Sequence, residues 1–308
     1  MSDAAERVDR GADFRAGFVA IVGRPNAGKS TLTNALVGQK IAITANQPET
    51  TRKIIRGIVN AAEGQLILVD TPGLHRPRTL LGERLNDMVH ETLSDVDAVA
   101  LCLPADEKLG PGDEFLLRLV EKTKAPVVAV VTKSDKISRD ALAEKLLLVS
   151  QFAEFADIVP VSAVRGEQVE ELVGVLTALM PPSPLLYPRD AVTDESEEEL
   201  IAEFIREAAL EGVRDELPHS IAVTIDEWQQ ATTKRGDPLA RIHASLYVER
   251  DSQKGIVIGR GGARLRDVGR RARGEIEKLL GQRVFLDLHV KIAKDWQRNP
   301  KLLGKLGF

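Results

Sequence analysis

The chain has 308 residues, is 43% hydrophobic and 29% charged, and carries a net charge of −4. These values exclude a collagen-like, disulfide-framework or wholly disordered chain, and the length suggests two domains. A single cysteine, Cys102, excludes an internal disulfide, and its place in the apolar run 97–103 indicates a buried thiol rather than a nucleophile. A reducing compartment fits that cysteine usage. Met1–Gly17 has no apolar signal core, and no run approaches the roughly 18 residues of a membrane helix, so a cytoplasmic location is expected. The mild total charge conceals a segregation. Residues 183–217 hold eleven acids against three arginines, whereas 254–301 hold thirteen Lys or Arg against five acids, a balance of +8. A solvated surface and a nucleic-acid surface explain such a basic stretch equally well on charge alone.

In chain order, short apolar strands are predicted at Phe18–Gly23, Gln65–Asp70, Asp97–Leu103, Ala125–Thr132 and Ala156–Val161. Helical spacing lies between several of them, at Ser30–Val37, Pro111–Lys122 and Ala141–Phe155, and Glu167–Met180 reads as a closing helix. This alternation predicts an α/β domain with a mainly parallel sheet over 17–181, preceded by a disordered tail 1–16. The proline run from Pro181 ends that domain and opens a linker, 182–193. From 194 to 308 the rhythm is α+β. An amphipathic helix is predicted over Glu197–Glu216, with strands at Ile221–Trp228 and Arg241–Glu249. A glycine-rich turn at Gly255–Gly262, a basic helix at Ala263–Gly281 and a strand at Arg283–Ile292 follow.

Gly23-Arg24-Pro25-Asn26-Ala27-Gly28-Lys29-Ser30 fits the phosphate-loop pattern, follows a strand and, with Thr31, opens a helix. Glycines let backbone amides turn inward around phosphate oxygens, and the helix aims its positive end at the same anion. Lys29 would neutralise the β- and γ-phosphates, and Ser30 would place its hydroxyl on Mg²⁺. In Asp70-Thr71-Pro72-Gly73, at the end of another strand, Asp70 would hold Mg²⁺ and the Gly73 amide would meet the γ-phosphate. Thr132-Lys133-Ser134-Asp135 follows a fourth strand. The Asp135 carboxylate can accept N1–H and the N2 amine of guanine, donors that adenine lacks, so it selects GTP over ATP. Lys133 would lie across the base, and Ser162-Ala163 would offer an amide to O6. All four sites fall at strand C-terminal ends, the ligand-binding edge of open α/β sheets.

These motifs resemble the translation-factor-like superclass of GTPases. The resemblance implies a switch threonine that completes Mg²⁺ coordination, assigned to Thr51 with Thr50 as the alternative. The guanine motif begins with Thr132 where the superclass usually has Asn, and Rho-like small GTPases are similar in this respect. The water-orienting glutamine of Ras-like enzymes is replaced by Leu74. Some related GTPases with an apolar residue there use K⁺ held partly by a phosphate-loop asparagine, a position matched by Asn26. A K⁺ ion in place of an arginine finger and a purely loop-shaping Asn26 are equally weighted readings. Leu74 also keeps open an RNA chaperone or scaffold that binds guanine nucleotide with negligible turnover.

Ile258-Gly259-Arg260-Gly261-Gly262 before the basic helix carries the G-x-x-G signature of a KH domain, here in the type II order. Arg260, Arg264, Arg266 and Arg270, with Arg271 and Arg273, would neutralise RNA phosphates. His243, His289, Trp228 and Trp296 read as packing residues. A GTPase followed by a KH domain resembles the bacterial Era family from about Gly17 to Phe308. The quoted phosphate loop, Thr50-Thr51-Arg52, Asp70-Thr71-Pro72-Gly73-Leu74-His75 and the Val257-Ile258-Gly259 turn carry the resemblance. It implies binding to the 3′ end of 16S ribosomal RNA and a role in small ribosomal subunit assembly, and a monomer is expected. It also implies loose association with the inner membrane face.

Overall fold

The computed structural model describes residues 14–44, 52–72, 79–213, 220–233 and 235–307. Two compact units divide the chain. One comprises Met1–Gln39, Arg56–Asp70 and Glu91–Asp194, the other Lys40–Ile55, Thr71–His90 and Glu195–Phe308.

The first unit is built on a six-stranded sheet in the order β2-β3-β1-β4-β5-β6. Its strands are β1 (Arg15–Gly23), β2 (Ile55–Asn60), β3 (Gly64–Asp70), β4 (Ala98–Pro104), β5 (Val127–Thr132) and β6 (Asp157–Pro160). β1 pairs in parallel with β3 and β4, and the parallel run continues through β5 to β6. Every residue of β3 and β4 is buried, the mark of strands covered on both faces. The covering helices are α1 (Lys29–Val37), α3 (Pro111–Val120), α4 (Arg139–Phe152) and α5 (Val169–Leu179), whereas α2 (Leu80–Ser94) groups with the second unit as far as His90.

The mainly parallel α/β expectation holds, with three refinements. β1 begins at Arg15, inside the expected tail, because the Arg15 guanidinium donates to the Met180 carbonyl at 2.7 Å and its backbone pairs with Gly64. β2 and α2 carry no prediction: β2 is an edge strand whose exposed Arg56 and Asn60 interrupt its apolar pattern. The expected linker runs along β2 and β3. Gln65 Oε1 accepts from the Leu186 and Tyr187 amides at 2.9 Å, and Thr193 Oγ1 donates to the Arg56 carbonyl at 2.7 Å.

The second unit contains α6 (Glu197–Leu210), β7 (Ala222–Thr232), β8 (Pro238–Val248), α7 (Asp251–Ile258), α8 (Ala263–Leu280), β9 (Arg283–Ile292) and a short α9 (Pro300–Lys305). β8 is central, antiparallel to β7 and parallel to β9. A Ser196–Glu199 capping box starts α6, and Gly212 at φ 69° follows its end, so the helix stops well short of Glu216. The expected turn Gly255–Gly262 is helical over its first half, because Gln253 Oε1 accepts from the Glu249 and Arg250 amides and starts α7. Among the described residues, 40–44, 52–55, 71–72 and 79–90 group with this unit. Ile43 sits in the core with Phe204, Leu246 and Ile276. Leu81 and Leu85 cluster with Ala222, Trp296 and Leu303. Buried Arg52 donates to the Ile221 carbonyl at 2.7 Å and stacks on Trp296.

Candidate functional site

The loop between β1 and α1 brings the phosphate-loop residues together. Asn26 at φ 62° and Gly28 at φ 91° turn it back on itself; asparagine tolerates that conformation and glycine takes it freely. Lys29 is buried at the first turn of α1, and its ammonium donates to the Gly23 and Arg24 carbonyls at 3.0 and 3.2 Å. Burial pulls its pKa below the ordinary value, against the attraction of Asp70. A positive group held in low dielectric, hydrogen-bonded among the described residues to carbonyls alone, is poised for an anion.

Ser30 Oγ donates to Asp70 Oδ2 at 2.8 Å. The other oxygen, Oδ1, is buried and has no hydrogen-bond partner among the described residues. Burial pushes the Asp70 carboxyl up to about 6, opposed by Lys29 and the Ser30 bond. An orphaned carboxylate oxygen beside a serine hydroxyl suits a hard divalent cation and its waters, so the donor set fits Mg²⁺. Thr71 and Pro72 are buried next to it, while Thr50, Thr51, Gly73, Leu74 and His75 lie outside the described residues.

The residues expected to read the base come together where β5 and β6 finish. Thr132 Oγ1 donates to the Ala27 carbonyl at 2.6 Å, tying the guanine loop to the phosphate loop. Ser162 Oγ donates to Asp135 Oδ1 at 2.7 Å. That bond, more than any nearby charge, lowers the Asp135 pKa and keeps the carboxylate an acceptor. Lys133 sits in the left-handed region at φ 58°, and reciprocal amide bonds between Ser162 and Glu167 close the loop that carries Ala163. Arg24 faces elsewhere: its Nε donates to buried Asp113 on α3 at 2.7 Å. Cys102 is fully buried and its thiol is pushed up to about 12, which makes it a packing residue.

In the second unit Gly259, Gly261 and Gly262 all have positive φ, at 71°, 58° and 75°. A Cβ at Gly259 would stand 2.7 Å from Arg264 Cβ, so only glycine fits. Ile258 packs against the core, and Ile256 is exposed. The arginines that follow do different jobs. Arg264 reaches back to the Ala209 and Glu211 carbonyls at 3.2 and 2.7 Å and closes the end of α6. Arg266 donates to the Gly261 carbonyl, Arg270 pairs with Asp267, and Arg271 pairs with Asp267 and Glu211. Arg260 is exposed, with no ion pair among the described residues. Trp296 is fully buried and donates to the Ser220 carbonyl at 3.0 Å, whereas Trp228 is half-buried against the core. His243 pairs with Asp287 at 3.2 Å, and His289 is exposed.

Sequence reasoning missed Asp113 and Glu107, and it named Arg52 only within the Thr50-Thr51-Arg52 motif; their partners, Arg24 for the first two and Ile221 for Arg52, lie far away in the chain.

Two family models match in series, a 50S ribosome-binding GTPase over residues 18–133 and a KH domain over 216–297. GTPase Era of Mycolicibacterium smegmatis is 62% identical over 96% of this chain and 99% of the relative. GTPase Era of Streptomyces coelicolor is 60% identical over 96% of this chain and 95% of the relative. Among solved structures, Era in complex with MgGDPNP and nucleotides 1506–1542 of 16S ribosomal RNA matches with a TM-score of 0.90. The two are 35% identical over 96% of this chain and 99% of that one. A Tyr-to-Ala variant of Aquifex aeolicus Era bound to GDP.AlF4- aligns with the same score, identity and coverage. With both domain models in order and such relatives matching along its length, the chain belongs to the GTPase Era family: it is a GTPase followed by a KH domain.

Proposed function

We propose that the chain couples GTP hydrolysis to binding of the 3′ end of 16S ribosomal RNA and thereby assists small-subunit assembly. The observation that carries this reading is the match along 96% of the chain to an Era structure holding both MgGDPNP and that RNA segment. In this reading the amides of Gly23–Gly28 cradle the phosphates. Lys29 moves its ammonium from the loop carbonyls to the β- and γ-oxygens, and Thr31 supports the first turn of α1. Ser30, Asp70 and Thr51 hold Mg²⁺, which neutralises charge on the phosphates when bound. The Gly73 amide meets the γ-phosphate, with Thr71, Pro72 and Leu74 shaping its surroundings. Asp135 accepts from guanine N1 and N2, Lys133 covers the base, Thr132 and Ser134 fix the loop, and Ala163 donates to O6.

Leu74 cannot orient water by hydrogen bonding, so positioned charge has to lower the barrier. Asn26, whose backbone is held in the left-handed region, would supply its amide oxygen, and K⁺ is the cation proposed to use it. On the KH side, Gly259–Gly262 admits the RNA backbone. Ile258 lines the base groove, and Arg260, Arg266 and Arg270 meet phosphates while Arg264 holds the turn in shape. We propose a monomer. Association with the inner membrane face would be peripheral: no helix among the described residues is long and apolar enough to cross a membrane.

GTP turnover in K⁺ and in Na⁺, each with and without a short RNA containing CCUCC, tests the reading. RNA is expected to raise turnover, and K⁺ to exceed Na⁺. Turnover that ignores an RNA shown to bind sinks the coupling, and equal rates in the two salts sink the ion.

A further inference from the structure

Glu107, in the loop after β4, belongs to none of the motifs above, yet the two ends of the nucleotide site meet on it. Its carboxylate lies 3.0 Å from Arg24 Nη2 of the phosphate loop and 3.4 Å from Lys133 Nζ of the guanine loop. Its own carbonyl accepts from Lys145 Nζ of α4 at 2.7 Å, which fixes the loop behind the carboxylate. Arg24 is further braced by Asp113, whose second oxygen accepts from the Gly110 amide at 3.0 Å at the start of α3. The chain leaves room for this arrangement: a Cβ at Gly112 would stand 2.7 Å from Arg24 Cδ. Asp106 also faces the guanine loop, 3.8 Å from Lys133 and 3.2 Å from Lys136, but no ion pair links it to Arg24 among the described residues.

We infer that Glu107 is a positioning residue for nucleotide binding, a bridge that sets the phosphate loop and the guanine loop in register before the ligand arrives. The inference rests on placing the nucleotide at these two loops, as proposed above. Each ion pair is partly solvent-exposed and weak alone, so the bridge acts by pre-organisation: one carboxylate restricts two cationic side chains at once. Arg24 is suited to this because its fork reaches Asp113 through Nε and Glu107 through Nη2 together; lysine cannot do both.

The test is a pair of double-mutant cycles on GDP affinity in the full chain. In the wild-type background, Arg24→Gln and Lys133→Gln are expected to be non-additive by threefold or more. In a Glu107→Gln background they are expected to be additive within about 1.5-fold. Glu107→Gln alone should raise KM for GTP three- to tenfold while kcat moves less than twofold, and Glu107→Asp should recover part of the loss. A folding defect would lower affinity without erasing a coupling. Where Arg24→Gln does not fold, the cycle of Lys133→Gln against Glu107→Gln replaces it, with the same threshold. Additivity in the wild-type background overturns the bridge. GDP binding that survives Lys29→Ala undiminished would instead overturn the placement of the nucleotide itself.

Discussion

Lys29 and the arginines of α8, both proposed above as cations for phosphate, are held in opposite ways. Lys29 is buried and desolvated, and its partners are two backbone carbonyls. The α8 arginines lie on a surface helix, and most are engaged: Arg264 with the end of α6, Arg270 with Asp267, Arg271 with Asp267 and Glu211. In the first case the protein has carried the desolvation cost in advance, so one residue holds a large share of the affinity. In the second, charge is spread over many exposed groups, each worth little and screened by salt. A basic count therefore overstates the second surface and understates the first.

The largest effect expected from this contrast is at Lys29. Lys29→Ala should lower GTP turnover by about 10²–10³-fold, the typical loss of one pre-organised charge partner. It should also abolish the rise in melting temperature that GDP produces, because that rise is ligand linkage. The ligand-free protein should melt within a few degrees of wild type, since the lost charge was poorly paired. Calorimetry with and without GDP checks this, and a large fall in the ligand-free melting temperature would make Lys29 a structural residue.

Next come the turn glycines. Gly259→Ala forces a Cβ to 2.7 Å from Arg264 Cβ at φ 71° and should cost about 1–3 kcal/mol of stability, with loss of RNA binding. At Gly262 the new Cβ meets only the end of the flexible Arg266 side chain, at 3.2 Å, so Gly262→Ala should cost less. Urea unfolding and RNA anisotropy rank the two. Equal costs would mean that the Arg264 contact does not set the turn.

Arg264 and Arg260 separate within the same surface. Arg264→Gln removes charged donors from two helix-end carbonyls and should cost about 1.5–3 kcal/mol, with the salt slope of RNA binding nearly unchanged. Arg260→Gln should leave stability alone and lower that slope by about 0.7, the value for one contact to a single strand. A reversed outcome would assign the phosphate contact to Arg264.

What was legible in the sequence follows the same division. The phosphate loop, Asp70 and Asp135 could be read because local spacing and strand ends fix them, as could the strand-helix alternation that carries them. The strand Arg283–Ile292 was legible to the residue, since alternate positions face one core. Arg264 carried no local sign of its role, because its partners Ala209 and Glu211 lie more than fifty positions away. Glu107 and Asp113 were hidden for the same reason. The helix Asp251–Ile258 was masked by Gly255, which packing tolerates inside it. The placement of Ile43 in the core of the second unit, and of Leu81 and Leu85 in a separate cluster with Trp296, depends on tertiary contacts that no local pattern encodes.

The smallest effect concerns the base-reading end, where the comparison can be sharpened with pH. The Ser162 hydroxyl is the main reason that Asp135 titrates below its ordinary value. A depressed carboxylate stays ionised to lower pH, so guanine binding persists until the pH falls through that folded value. Ser162→Ala removes the donor, Asp135 then protonates at higher pH, and the acid limb of GDP affinity moves upward. At neutral pH the carboxylate is ionised in both proteins, so only the lost ordering of Asp135 remains, worth about 0.5–1.5 kcal/mol. Lys29 has a depressed pKa too, but there burial is the cause and the lowered group is a cation, so removing Ser162 leaves it untouched. GDP titrations at stepped pH, with circular dichroism to confirm folding at each step, distinguish the cases. A profile that superimposes on wild type would show that Ser162 does not govern the charge of Asp135, and guanine selection would then rest on the loop backbone instead.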